Sequence, residues 1–65
     1  MYKLRLLDFV GDYKVHELPV WYEGPYSCLR YHAENAGYKF KPVSGYIYGG
    51  YFAHPETGDC LFITL

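Results

Sequence analysis

Residues 2–10, YKLRLLDFV, are rich in Leu, Phe and Val and carry charges at Lys3, Arg5 and Asp8. Gly11-Asp12 follows, and then YKVHELPVWY. Two such runs around a Gly-Asp pair predict a β-hairpin. A two-residue turn there sets Leu7 opposite His16 and Arg5 opposite Leu18, which mixes apolar with polar partners, so a bulge or a longer loop is expected. Pro19 predicts that the second strand ends there or lies at a sheet edge, because proline has no N–H for a central ladder.

Glu23-Gly24-Pro25 punctuates the chain, and the period then changes. In YSCLRYHAENAG, Tyr26, Leu29, Ala33 and Ala36 recur at helical spacing and form a core-facing stripe. Pro25 suits the first helical turn and Gly37 the left-handed cap. YKFKPV alternates again: Tyr38 and Phe40 point one way and Lys39 and Lys41 the other, as in a half-buried strand, until Pro42 interrupts it. In GYIYGGYF, Gly49-Gly50 is either a hairpin turn or a kink. Four residues are few for a strand between two turns, so a bent or bulged strand is expected. On that strand Tyr46 and Tyr48 share one face and Ile47 packs on the helix. HPETGD, 54–59, is a turn, with Pro55 presetting φ and Gly58 accepting φ > 0. CLFITL is nearly all apolar and predicts a central strand.

These elements predict an α+β fold: a small antiparallel sheet of about four to five strands with one helix packed on one face, in the order β-β-α-β-β(-β). Residues 1–65 form a single domain in this reading, since a chain of 65 residues has room for one core only.

Composition changes the picture in one respect. Aromatics make up 22% of the residues, as nine Tyr, four Phe and one Trp. So small a body has no room inside for all of them. Tyr and Trp are enriched at interface hot spots, although Tyr is also an ordinary strand former. The candidate partner-binding residues are Tyr46, Tyr48, Tyr51, Trp21 and Tyr22. Charge adds little: six Lys and Arg against seven Asp and Glu leave a formal net charge of −1. That excludes the basic excess that drives phosphate binding. No apolar run reaches the length of a signal-peptide core or a membrane span, so a cytoplasmic protein with reduced cysteines and no membrane partner is expected.

Candidate chemistry is thin. Cys28 and His32 lie four apart on the predicted helix, and His54 and Cys60 flank the PETG turn. Together they offer four ligands for a tetrahedral zinc, but the spacing departs from the paired pattern of zinc fingers. A Cys28–Cys60 disulfide is the other use of the two thiols. Asp12, His16 and Glu17 contain acid–base chemistry without a spacing that demands it. Ser27, beside Cys28 near the helix start, fits either a nucleophile or a cap. No nucleophile elbow, phosphate loop or zinc-protease motif is present.

GYIYGGYF shares with the RNA-recognition strand pattern its alternation of glycine and aromatics, but lacks the leading basic residue, since Ser44 precedes Gly45. The expectation is therefore a small non-enzymatic protein-binding module without a cofactor, which occupies a partner protein's surface as an accessory or phage-type inhibitor does. Homodimerisation through an exposed aromatic face or an unpaired strand edge goes with it. The alternatives are single-stranded nucleic-acid binding through Tyr46, Tyr48 and Tyr51, against which the shortage of cations weighs, and a zinc-stapled interaction domain.

Overall fold

Alternation, one helical stretch and two turn clusters organise the chain much as its pattern suggests. The computed structural model describes residues 1–7 and 17–65. The elements are β1 (Tyr2–Leu7), β2 (Val20–Gly24), α1 (Tyr26–Asn35), β3 (Lys39–Pro42), β4 (Gly50–Ala53) and β5 (Cys60–Thr64). The strands make one antiparallel sheet in the spatial order β2-β1-β5-β4-β3. The class is α+β, a small five-stranded sheet with one helix among the described residues.

β5 occupies the middle of the sheet, where its apolar run is paired on both sides: Lys3↔Thr64 through Leu7↔Cys60 with β1, and Phe52↔Leu61 and Ala53↔Cys60 with β4. Leu4, Leu29, Ala33, Tyr38, Phe52 and Leu61 form the buried cluster, so two helix residues share a core with three strands. Each fully buried leucine or phenylalanine side chain contributes about 1.5–3 kcal/mol relative to exposure.

The β1–β2 pairing exists, but its register differs from the expected one. Arg5 pairs with Val20 rather than Leu18, and Tyr2 pairs with Gly24. The expected irregularity appears between Leu4 and Arg5, where Trp21 is the extra residue. Pro19 does not end the second strand; it precedes it, and its carbonyl accepts the Leu6 N–H at 2.9 Å. β2 does run along a sheet edge, which suits a neighbouring proline. The expected turn at Gly11-Asp12 and the residues Asp8–His16 lie outside the described residues.

Pro25 occupies the N-cap of α1, one position before the first turn, and the Cys28 N–H reaches its carbonyl at 2.9 Å. Leu29 and Ala33 are buried as expected, whereas Tyr26 and Ala36 are exposed. Gly37 takes φ +97° just past the helix; its N–H donates to Glu34 and that of Tyr38 to Ala33, at 3.1 and 3.0 Å. This is a Schellman closure, and it delivers Tyr38 into the core beside Ala33.

The largest departure is in GYIYGGYF. Residues 43–49 are a loop, not a bent strand, and β4 starts only at Gly50. The loop folds as two successive turns, with the Tyr46 N–H on the Val43 carbonyl and the Gly49 N–H on the Tyr46 carbonyl; the Val43 N–H closes it on the Gly49 carbonyl at 2.9 Å. Ile47 therefore does not pack on the helix; it sits at the loop tip, 91% exposed. Gly50, at φ +153°, brings β4 against the Lys41 carbonyl so closely that a Cβ there overlaps it. The second turn is as expected: His54–Asp59 joins β4 to β5, with the His54 N–H on the Asp59 carbonyl at 2.8 Å and Gly58 at φ +80°.

Candidate binding surface

The 43–49 loop sits at the end of the sheet where β1 begins and β5 finishes. Side chains alternate across a strand, so Tyr2 and Leu4 share one side of the sheet, and Arg5, Phe62 and Tyr51 the other. Tyr48 joins the first side: its ring meets Tyr2 at 5.7 Å and Tyr26 at 6.2 Å, while Tyr2 and Tyr26 meet edge to face at 5.2 Å. Tyr46 joins the second, 6.2 Å from Tyr51, which stacks on Phe62 at 5.3 Å. Tyr46 and Tyr48 thus do not share a face; the loop straddles the sheet end and drops one tyrosine on each side. Edge-to-face and offset pairs of this kind contribute about 0.5–1.5 kcal/mol each beyond their burial, which anchors the loop.

Between the anchors lies a cleft of about 400 Å³, lined by Tyr46, Tyr48, Gly50, Ile63 and Leu65 among others. It opens because the β4–β5 ladder stops at Phe52↔Leu61: Tyr51 and Gly50 pair with Lys41 and Pro42 of β3, while Phe62 to Thr64 pair with β1. Of its lining, Ile47 is 91% exposed, Leu65 68% and Tyr46 46%, and Tyr26, against Tyr48, is exposed as well. Sequence reasoning missed Ile47 and Tyr26 as surface residues. An isoleucine flanked by Gly45 and Gly49 was the available signal for an exposed loop tip.

The other expected binding residues lie away from the loop tip. Trp21 packs on Tyr38 at 5.6 Å, and Tyr22 stacks on His32 at 4.1 Å, tying β2 to the helix region. Tyr51 is half-buried under its two ring contacts.

Cys28, His32, His54 and Cys60 do not converge. Among the described residues no group of three or more His, Cys, Asp or Glu side chains lies close enough to hold a metal ion. Both cysteines are free thiols, half-buried, so the expected alternative of a Cys28–Cys60 disulfide is not formed. His54 serves its own turn: Nδ1 accepts the Glu56 and Thr57 N–H groups at 3.1 and 3.4 Å, and the ring lies edge-on to Tyr38 at 5.1 Å. Burial pushes the Cys60 thiol above its ordinary value, with the Asp59 charge adding to the effect. That opposes the thiolate a nucleophile needs. Tyr38 is raised chiefly by burial and then by Asp59 and Cys60. Ser27 is exposed, and α1 has no side-chain N-cap bond. Asp12 and His16 lie outside the described residues.

A second hollow, near Arg30, Glu34, Tyr38, Lys39 and Glu56, mixes charges of both signs. Arg30 is already held there by Glu34 at 3.1 Å and lies over the Phe40 ring. Among the described residues no helix is long and apolar enough to cross a membrane. No protein-family model matches the chain, and no curated protein or solved structure shows significant similarity to it.

Proposed function

We propose that the protein is a small non-enzymatic binding module that occupies a partner protein's surface with the aromatic end of its sheet. The carrying observation is the cleft whose lining includes the exposed Tyr46, Ile47 and Leu65, with the exposed Tyr26 against its Tyr48 wall. A contiguous patch of this kind marks an interaction site, whereas apolar residues scattered singly do not. The reading takes α1 as the cover of the Leu4 side of the sheet, supported by the cluster Leu29 and Ala33 share with Leu4, Phe52 and Leu61. Two free thiols suit an intracellular setting. Affinity capture from the native host's lysate tests it. Wild-type protein is expected to retain a specific partner that a Tyr46→Ala/Ile47→Asp variant, folded by circular dichroism, loses. Equal capture by both proteins removes this surface as the site.

One observation favours single-stranded nucleic acid as a second reading. Lys39 and Lys41 are exposed on the side of the sheet that carries Tyr51. Against it, Tyr51 is engaged by Tyr46 and Phe62 instead of being offered to a base, and Lys3 and Arg5 on that side are held by Glu23, Thr64 and the Leu18 carbonyl. Fluorescence titration with an oligonucleotide at low salt, where backbone attraction is largest, separates the two readings.

A further inference from the structure

At the open end of the sheet an apolar knob and an apolar hollow lie side by side. Ile47 projects from the loop tip and forms part of the rim of the cleft of about 400 Å³ that runs between the same loop and Ile63–Leu65. Its lining side chains are uncharged among the described residues. A knob and a hollow on one surface are what an isologous pair requires, because a two-fold axis sets each copy's knob against the other's hollow. A patch with charge of one sign repels its own copy across such an axis, and this one has no such side chains in its cleft. Its size also fits. The exposed parts of Ile47, Leu65, Tyr26 and Tyr46 come to on the order of 500 Å², more than half of the about 800 Å² per partner in an ordinary specific interface.

We infer that the occupant of this surface is a second copy of the chain, with Ile47 of each copy seated in the cleft of the other between Tyr46, Tyr48 and Leu65. The sheet edges do not offer an equal route. β3 exposes Lys39 and Lys41 and ends in Pro42, and β2 carries the bulge at Trp21 between Pro19 and Pro25. Lysines, prolines and bulges are the devices that block edge-to-edge pairing. The inference rests on the binding reading of this end and names its occupant.

Sedimentation equilibrium over about 1–500 μM is the test, on the scale of weak to moderate association. Wild-type protein is expected to move from 7.6 kDa towards twice that mass. Ile47→Asp, which places a carboxylate in the apolar hollow, is expected to weaken the dimer at least about thirtyfold, the effect of a central interface residue. Tyr31→Asp, on an exposed helix position away from the cleft, is expected to dimerise as wild type does. A wild-type monomer throughout the range overturns the inference, as does an Ile47→Asp protein that dimerises undiminished. A monomeric wild type whose lysate capture is still lost in the Tyr46→Ala/Ile47→Asp variant leaves the binding reading standing with a different protein as partner. A monomer with unchanged capture removes both.

Discussion

Gly50 and Gly58 both adopt positive φ, at +153° and +80°, yet they answer to different constraints. Around Gly58 a Cβ meets open space, so Gly58→Ala carries only the left-handed backbone cost of about 1–2 kcal/mol. At Gly50 the Lys41 carbonyl stands where a Cβ would go, so Gly50→Ala must also displace β3 from β4, and a loss of about 3 kcal/mol or more is expected. Urea denaturation of the two variants checks the order; equal midpoints would refute it. Some of this was legible residue by residue. PETG announced its turn through Pro55 and Gly58, and Gly37 announced the helix end. What no local signal showed was that the His54 imidazole itself accepts two of the turn's N–H groups. A reading of His54 as a zinc ligand does not register this acceptor role, because the donors are backbone groups two and three positions further on that carry no sequence signal of their own.

Elements with a strong internal period were readable, and those fixed from outside were not. Helix α1 and the alternation of β3 follow from side chains a few positions apart. Leu29 is the helix's main core residue, and Leu29→Ala is expected to cost about 2–5 kcal/mol. Cores of this size rarely supply more than roughly 3–5 kcal/mol net, so the variant is expected to be largely unfolded at room temperature by circular dichroism. A cooperative melt close to wild type would contradict that. The register of β1 with β2 depended on a bulge at Trp21, and that residue is positioned by Tyr38, seventeen places along the chain. Loop 43–49 misled for a similar reason. Tyr-Ile-Tyr reads as a strand, but each tyrosine finds a ring on a different side of the sheet, Tyr48 on Tyr2 and Tyr26 and Tyr46 on Tyr51. Those partners lie on three other elements, which a local pattern does not register.

For the molecule as a whole, the α+β class and the central place of β5 were foreseeable from the apolar run CLFITL, whereas the open sheet end was not. Alkaline pH probes the region of Tyr38 and Cys60 beside the His54–Asp59 turn. The fold keeps Tyr38 and Cys60 in their neutral forms beyond their ordinary values of 10.0 and 9.0. The unfolded chain therefore releases these protons first, and stability falls as pH rises through that range. A urea midpoint that declines above about pH 9 is expected, with the decline smaller in Tyr38→Phe; the same slope in both proteins would exclude Tyr38 as a source. The sheet order has a consequence in time. β1 completes its pairing with β5, and Arg5 bonds Thr64 across 59 positions of sequence. Native structure dominated by such distant pairings forms slowly, because loop-closure entropy is lost before the contacts are gained. During synthesis β1 has its inner edge unpaired until the residues of β5 have left the ribosome, so the order of translation itself delays closure of the sheet.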